Sequence, residues 1–163
     1  MARAKKKPDR KERTFLVVVD ESEEMDVALR FACRRAKATG GRVALFYVIE
    51  PADFGHWIAV EDLMEKERRM VAEETLTRYS DTVIEQTGVL PILHIREGER
   101  REALLKLIEE EPSISILVLA MGSGRGGPGP LIAALTGKFY KRLTVPMTIV
   151  PGRLTEEGLD AVT

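Results

Sequence analysis

The chain has 163 residues, 44% of them hydrophobic, and a formal net charge of −1, which suits one buried core of ordinary single-domain size. Seven Lys or Arg fall within the first thirteen residues against Asp9 and Glu12, so the rest of the chain is net acidic and a nucleic-acid-binding face on the domain is not expected. No segment approaches the roughly 18 to 20 apolar residues of a membrane helix, and no membrane partner is expected.

Residues 1–13 read as a basic, solvated, disordered leader, with no following apolar stretch of the signal-peptide kind. The expected location is cytoplasmic. Thr14 to Val19 (TFLVVV) is a β-branched run of strand length and nearly continuous apolar character, as a strand covered on both faces would be. Met25, Ala28, Leu29, Ala32, Cys33 and Ala36 then recur at helical spacing, and Gly40 and Gly41 end that helix.

Arg42 to Ile49 predicts a second strand, closed by Pro51, so the first strand, helix and second strand form a parallel unit. Phe54, His56 and Trp57 follow as an aromatic cluster that packs on the next helix. From Val60 to about Gln86, Leu63, Met64, Val71, Leu76, Tyr79 and Val83 alternate with charges in a long amphipathic helix. Leu90 to Arg96 is a third strand, and Pro91 near its start points to a sheet edge.

Glu99 to Glu110 returns to helix, and Ile114 to Met121 (ISILVLAM) is the most apolar strand, expected at the centre of the sheet. After a loop from Gly122 to Pro130, Leu131 to about Leu143 predicts a short helix and Pro146 to Val150 a fifth strand. Residues 14–152 form the predicted domain and 153–163 a C-terminal tail. The alternation argues for an α/β fold in which a five-stranded parallel sheet is doubly wound, with helices on both faces. Ligands of such sheets bind outside the carboxyl ends of the strands.

Cys33 is the only cysteine, and His56 and His94 lie far apart, so neither a disulfide nor a metal site is expected. Ser22, Ser123 and Thr136 have no histidine in a recognisable relationship, and no catalytic residues are expected.

The loop after the fourth strand places five glycines in the eight positions from Gly122 to Gly129. Glycines let backbone N–H groups approach an anion, the next helix would add its N-terminal dipole, and Arg125 could supply a charge, so the pattern suits phosphate. Gly122, Gly124 and Gly127 also spell GxGxxG, but the next strand ends Thr148-Ile149-Val150-Pro151 without the acidic residue that a dinucleotide site uses for ribose. A Walker A loop fails because Ile132 stands where its first glycine belongs. Pro128 and Pro130 remove two donors, so a rigid turn with no ligand is the other reading of the loop.

On these residues the chain resembles the universal stress protein family from Thr14 to Gly152. ATP-binding members look like G-x2-G-x9-G-[S/T] after strand four. Here Gly124, Gly127 and Gly137 match that spacing, with Lys138 at the hydroxyl position. A second register, anchored on Met121-Gly122 and counted back from Pro146, puts Ala133-Ala134 at the last pair. The resemblance implies a Rossmann-like sheet of order 3-2-1-4-5 and a nucleoside contact from Asp20. It also implies an adenine pocket at Val18 and Val48, and a homodimer through Met147 to Val150.

Asp20 has an equal reading as the N-cap of the first helix, with Glu23 three residues on. The resemblance implies a stress-responsive regulatory protein that holds ATP or AMP without rapid turnover, with Mg only alongside bound ATP. The alternative is a dimeric interaction module of the same fold without nucleotide. A slow ATP hydrolase is a third reading, opposed by the lack of a base. Nucleotidyl-transfer relatives of the fold carry Ser-Gly-Gly after strand one, whereas this chain has Asp20 to Glu24 with its carboxylates there.

Overall fold

All five residues of β1 (Thr14–Val18) are buried, because the strand has a neighbour on each side and a layer of helices on each face. The structure is a computed structural model that describes residues 12–51 and 58–163. The leader up to residue 11 and the Phe54, His56, Trp57 cluster lie outside the described residues. The chain continues through α1 (Glu23–Thr39), β2 (Arg42–Ile49), α2 (Ile58–Thr87), β3 (Ile92–Glu97) and α3 (Arg100–Glu110). Then come β4 (Ile114–Met121), α4 (Pro130–Thr136), β5 (Met147–Pro151) and α5 (Glu156–Val162).

The five strands are parallel and ordered β3-β2-β1-β4-β5, as expected, with the Pro91 strand at one edge. Side chains alternate along β1 with the period of two that a pleat imposes. Phe15, Val17 and Val19 pack with Met25, Leu29, Leu76 and Val83 on the α1–α2–α5 face. Leu16 and Val18 pack with Leu104, Leu107, Ile132 and Leu135 on the α3–α4 face. Cys33 sits in the first of these layers, and burial pushes its thiol up to about 12, which leaves it protonated and unreactive.

Four elements differ from the sequence reading. The cap of α1 is Ser22, whose hydroxyl accepts the Met25 N–H at 3.3 Å. Asp20 lies two residues before the cap and takes the Ser22 N–H at 3.0 Å and the Ser22 hydroxyl at 2.7 Å. The predicted single helix from Leu131 to Leu143 is α4 plus a separate 3-10 turn at Tyr140–Arg142, with Gly137 as the break at φ −105 and ψ −113.

The third difference is in α2, where Leu63 (60% exposed) and Val71 (49%) do not join the core. Thirty helical residues span about 45 Å, while the eight residues of β2 span about 26 Å. The helix therefore overhangs the sheet by roughly twelve residues. Burial accordingly begins at Ala72 and continues through Thr75, Leu76, Tyr79 and Val83.

Residues 156–162 of the expected tail are helical and docked. Leu159 is fully buried in the α1 layer, while Arg30 and Arg34 of α1 pair with Glu156, and Arg34 also pairs with Asp160. These ion pairs are exposed and orient the helix more than they stabilise it. Leu159→Ala should therefore destabilise the protein by about 3 kcal/mol, as deletion of a buried leucine does, seen as a lowered urea midpoint. An unchanged midpoint would mean that α5 contributes nothing to the fold.

Candidate functional site

The turn after β1 and the loop after β4 leave the sheet toward opposite faces, α1 on one and α4 on the other. A cleft of about 260 Å³ opens between them at the carboxyl ends of the strands, where ligands of open parallel sheets bind. Val18, Leu119 and Ala120 form its floor, and Pro128 to Ile132 its far wall. The start of α3 contributes Glu99, Arg100 and Arg101, and Asp20 and Glu50 complete the rim.

The α3 wall is fixed from below. Arg142 of the 3-10 turn donates to both carboxylate oxygens of Glu102 at 2.7 and 3.2 Å and to Glu109 at 3.3 Å, a bidentate arrangement that sets orientation as well as charge. The hydrogen bond from Arg142 holds the Glu102 carboxyl below its usual range. Beside it, the Arg101 guanidinium lies 4.0 Å from the Phe139 ring centroid, a cation–π contact that fixes its plane. Glu99 caps α3 by accepting the N–H groups of Arg101 and Glu102 at 3.2 and 2.9 Å.

The glycine-rich loop closes on itself. Gly122 donates its N–H to the Pro128 carbonyl at 3.3 Å, and a Cβ at Gly122 would stand 2.8 Å from the Gly127 carbonyl oxygen, so only glycine permits this approach. Gly127 and Gly129 complete the reversal at φ +80 and +110. Ser123, next in the chain, gives its N–H (3.2 Å) and hydroxyl (2.7 Å) to the Glu24 carboxylate from the first turn of α1. Arg153 donates to the Ser123 carbonyl at 3.2 Å, and Gly152 donates to the Met121 carbonyl at 3.2 Å. The start of α1 and the exits of β4 and β5 are thus one hydrogen-bonded junction.

Of the residues singled out in the sequence, Val18 and Asp20 line the cleft. Val48 lines an adjoining recess between the end of β2 and the α2 overhang, where Arg100 and Glu50 form the shared wall. Met121 is half-buried against the α3–α4 layer. Gly122 is half-buried, Gly124, Arg125 and Gly127 are exposed, none of the four lines the cleft, and Gly137 caps the far end of α4. Lys138 is exposed, with its Nζ 5.8 Å from the Phe139 ring centroid.

Glu50, Glu99, Arg100 and Arg101 line the cleft and were missed. The available signal was position, since they follow the carboxyl ends of the second and third strands. Among the described residues, no three His, Cys, Asp or Glu side chains gather to hold a metal. His94 lies on edge strand β3, where partial burial lowers its pKa and favours the neutral ring. No described helix is long and apolar enough to cross a membrane.

Fold and site together define a doubly wound parallel α/β protein with a small-molecule crevice at the strand-order reversal. The sequence profile of the Universal stress protein family matches residues 12–151, and the chain belongs to that family. Among solved structures it is similar to universal stress protein UspA from Lactobacillus plantarum (TM-score 0.72, 15% identity), with 87% of this chain and 99% of that one covered. It is also similar to a universal stress protein in complex with cAMP (0.63, 18%, covering 86% and 97%). A third is the universal stress protein from Archaeoglobus fulgidus in complex with dAMP (0.55, 17%, covering 85% and 96%). At these identities the likeness is one of fold. No curated protein matches the chain in sequence.

The Glu24–Ser123 contact has a pH signature. The Ser123 hydroxyl, followed by backbone N–H bonds, holds the Glu24 carboxyl below the ordinary value of 4.5. Because the folded state favours the ionised form, the contact stabilises above the unfolded pKa and is lost as pH falls through the lower, folded value. Glu24→Gln should lower the urea midpoint at pH 7, and the gap from the unmodified protein should close as the pH falls through the lowered folded value. A pH-independent gap would count against this contact.

Proposed function

We propose that this universal stress protein family member is a stress-responsive regulatory protein of the cytoplasm. It holds an adenine nucleotide, ATP or AMP, in the β1–β4 cleft without rapid turnover. The observation that carries the reading is the cleft itself: an apolar floor of Val18, Leu119 and Ala120 sized near a nucleoside, with the Asp20 carboxylate on one rim and two arginines on the other. The cAMP and dAMP complexes of structural neighbours support it.

Asp20 accepts the ribose hydroxyls, with the base against Val18 and toward Val48. Met121, Gly122, Gly124, Arg125, Gly127, Gly137 and Lys138 are proposed as the phosphate side, with Mg only when ATP is bound. Native mass spectrometry of freshly purified protein should show the nucleotide mass, and titration should saturate at millimolar ligand or below. Asp20→Asn, which keeps an acceptor for Ser22, should weaken binding about tenfold, as loss of a charge-assisted hydrogen bond does. No bound mass and no stabilisation by millimolar nucleotide would sink the reading.

A second reading, a homodimeric interaction module without nucleotide, draws support from Ser123, whose donors are already taken by Glu24, and from the prolines of the loop. In both readings the dimer forms through β5, an edge strand whose Met147, Thr148 and Ile149 are only half-buried. Sedimentation should give twice the chain mass. Ile149→Pro, which removes a backbone donor on the side of β5 that faces away from β4, should return it to the monomer mass.

A further inference from the structure

Nucleotide binding at this fold is ordinarily expected to place phosphates on the loop after β4, yet of the loop residues that carry an N–H only Gly129 lines the cleft. The Gly122 N–H is bonded to the Pro128 carbonyl, and the Ser123 N–H and hydroxyl are bonded to Glu24. Pro128 and Pro130 have no N–H. Gly124, Arg125, Gly126 and Gly127 are exposed and do not line the cleft.

Positive charge reaches the cleft from the opposite wall. Arg100 and Arg101 both line it, and Arg100 also lines the adjoining recess. Among the described residues Arg100 makes no hydrogen bond or ion pair. Arg101 is held in place by the Phe139 ring and by Glu99 at 3.4 Å, and its buried Nε has no partner. With Arg101 already paired to Glu99, Arg100 is, among the described residues, the unpaired cation on this wall that a single phosphate would meet. Asp20, Glu50 and Glu99 share the same cleft, so further phosphates would meet carboxylates at short range.

We propose that Arg100, with Arg101 behind it, is the phosphate anchor of the cleft, and that the ligand is an adenine nucleoside bearing a single phosphate. The proposal rests on the nucleotide reading above and assigns the phosphate to α3 instead of the β4 loop. Arg100 donates to the phosphate oxygens from the side of the cleft that borders the β2 recess. Arg101, its plane fixed by the Phe139 ring, contributes charge from behind it. With the phosphate on that side, the ribose lies by Asp20 and the base between Val18 and Leu131, turned toward α4 and away from Val48.

Isothermal titration of the full chain with adenosine, AMP, ATP, and ATP plus Mg²⁺ tests this. AMP should bind about tenfold or more tightly than adenosine, as one charge-assisted contact provides, and ATP should bind no more tightly than AMP. Arg100→Gln should remove the advantage of AMP while leaving adenosine affinity as it was. Arg100→Lys, which keeps the charge and guards against a folding effect, should retain part of that advantage. ATP binding more tightly than AMP would overturn the anchor and leave the nucleotide reading standing, as would loss of the AMP advantage on Ser123→Ala but not on Arg100→Gln. No binding by any of the four ligands would overturn both.

Discussion

Everything at the carboxyl end of the sheet follows from β1 having a parallel partner on each side, β2 and β4, with its side chains buried in both helix layers. A strand so placed has no free edge and no exposed face. The chain leaving it must turn to one layer, through α1, while the chain leaving β4 turns to the other, through α4. Two exits that part in opposite directions leave a gap above the strands. That gap is the cleft, and it exists whether or not any residue in it was selected for a ligand.

The rim of the cleft is uneven. On the α1 side, polar groups are satisfied within the protein: Glu24 takes the donors of Ser123, and Asp20 buttresses Ser22 at the cap. Glu21 is the one described non-glycine residue at positive φ, at 59, a conformation that strains an ordinary side chain by about 1 kcal/mol or more. Its carboxylate accepts from Thr75 and Arg78 of α2, each at 3.3 Å, which holds the turn in that shape. On the α3 side, by contrast, Arg100 and Glu50 face the opening with no side-chain hydrogen bond or ion pair among the described residues. The rigid rim shapes the crevice, and the open rim carries its charge.

Strand identity was legible because fully buried parallel strands require β-branched and apolar runs such as Thr14 to Val19 and Ile114 to Met121. The α1 stripe was legible because Met25, Ala28, Ala32 and Cys33 recur at the helical period and do reach the core. Leu63 and Val71 carry the same signal and stay exposed, since periodicity says which face a residue occupies and not whether anything lies opposite it. The break at Gly137 was hidden by apolar residues on both sides, and α5 by a short, mostly polar segment whose one deep contact is Leu159.

What the sequence determined by itself was the parallel α/β class, the family resemblance, and a turn-forming loop after the fourth strand. These depend on local pattern, and local pattern survives reading in one dimension. Only the tertiary structure decided that the Gly122 and Ser123 donors are taken by Pro128 and Glu24, and that Arg100 and Arg101, some twenty positions earlier in the chain, face the same cleft as Asp20. Hydrogen-bond satisfaction and charge proximity are set by distances between segments remote in sequence, and no spacing of glycines encodes them.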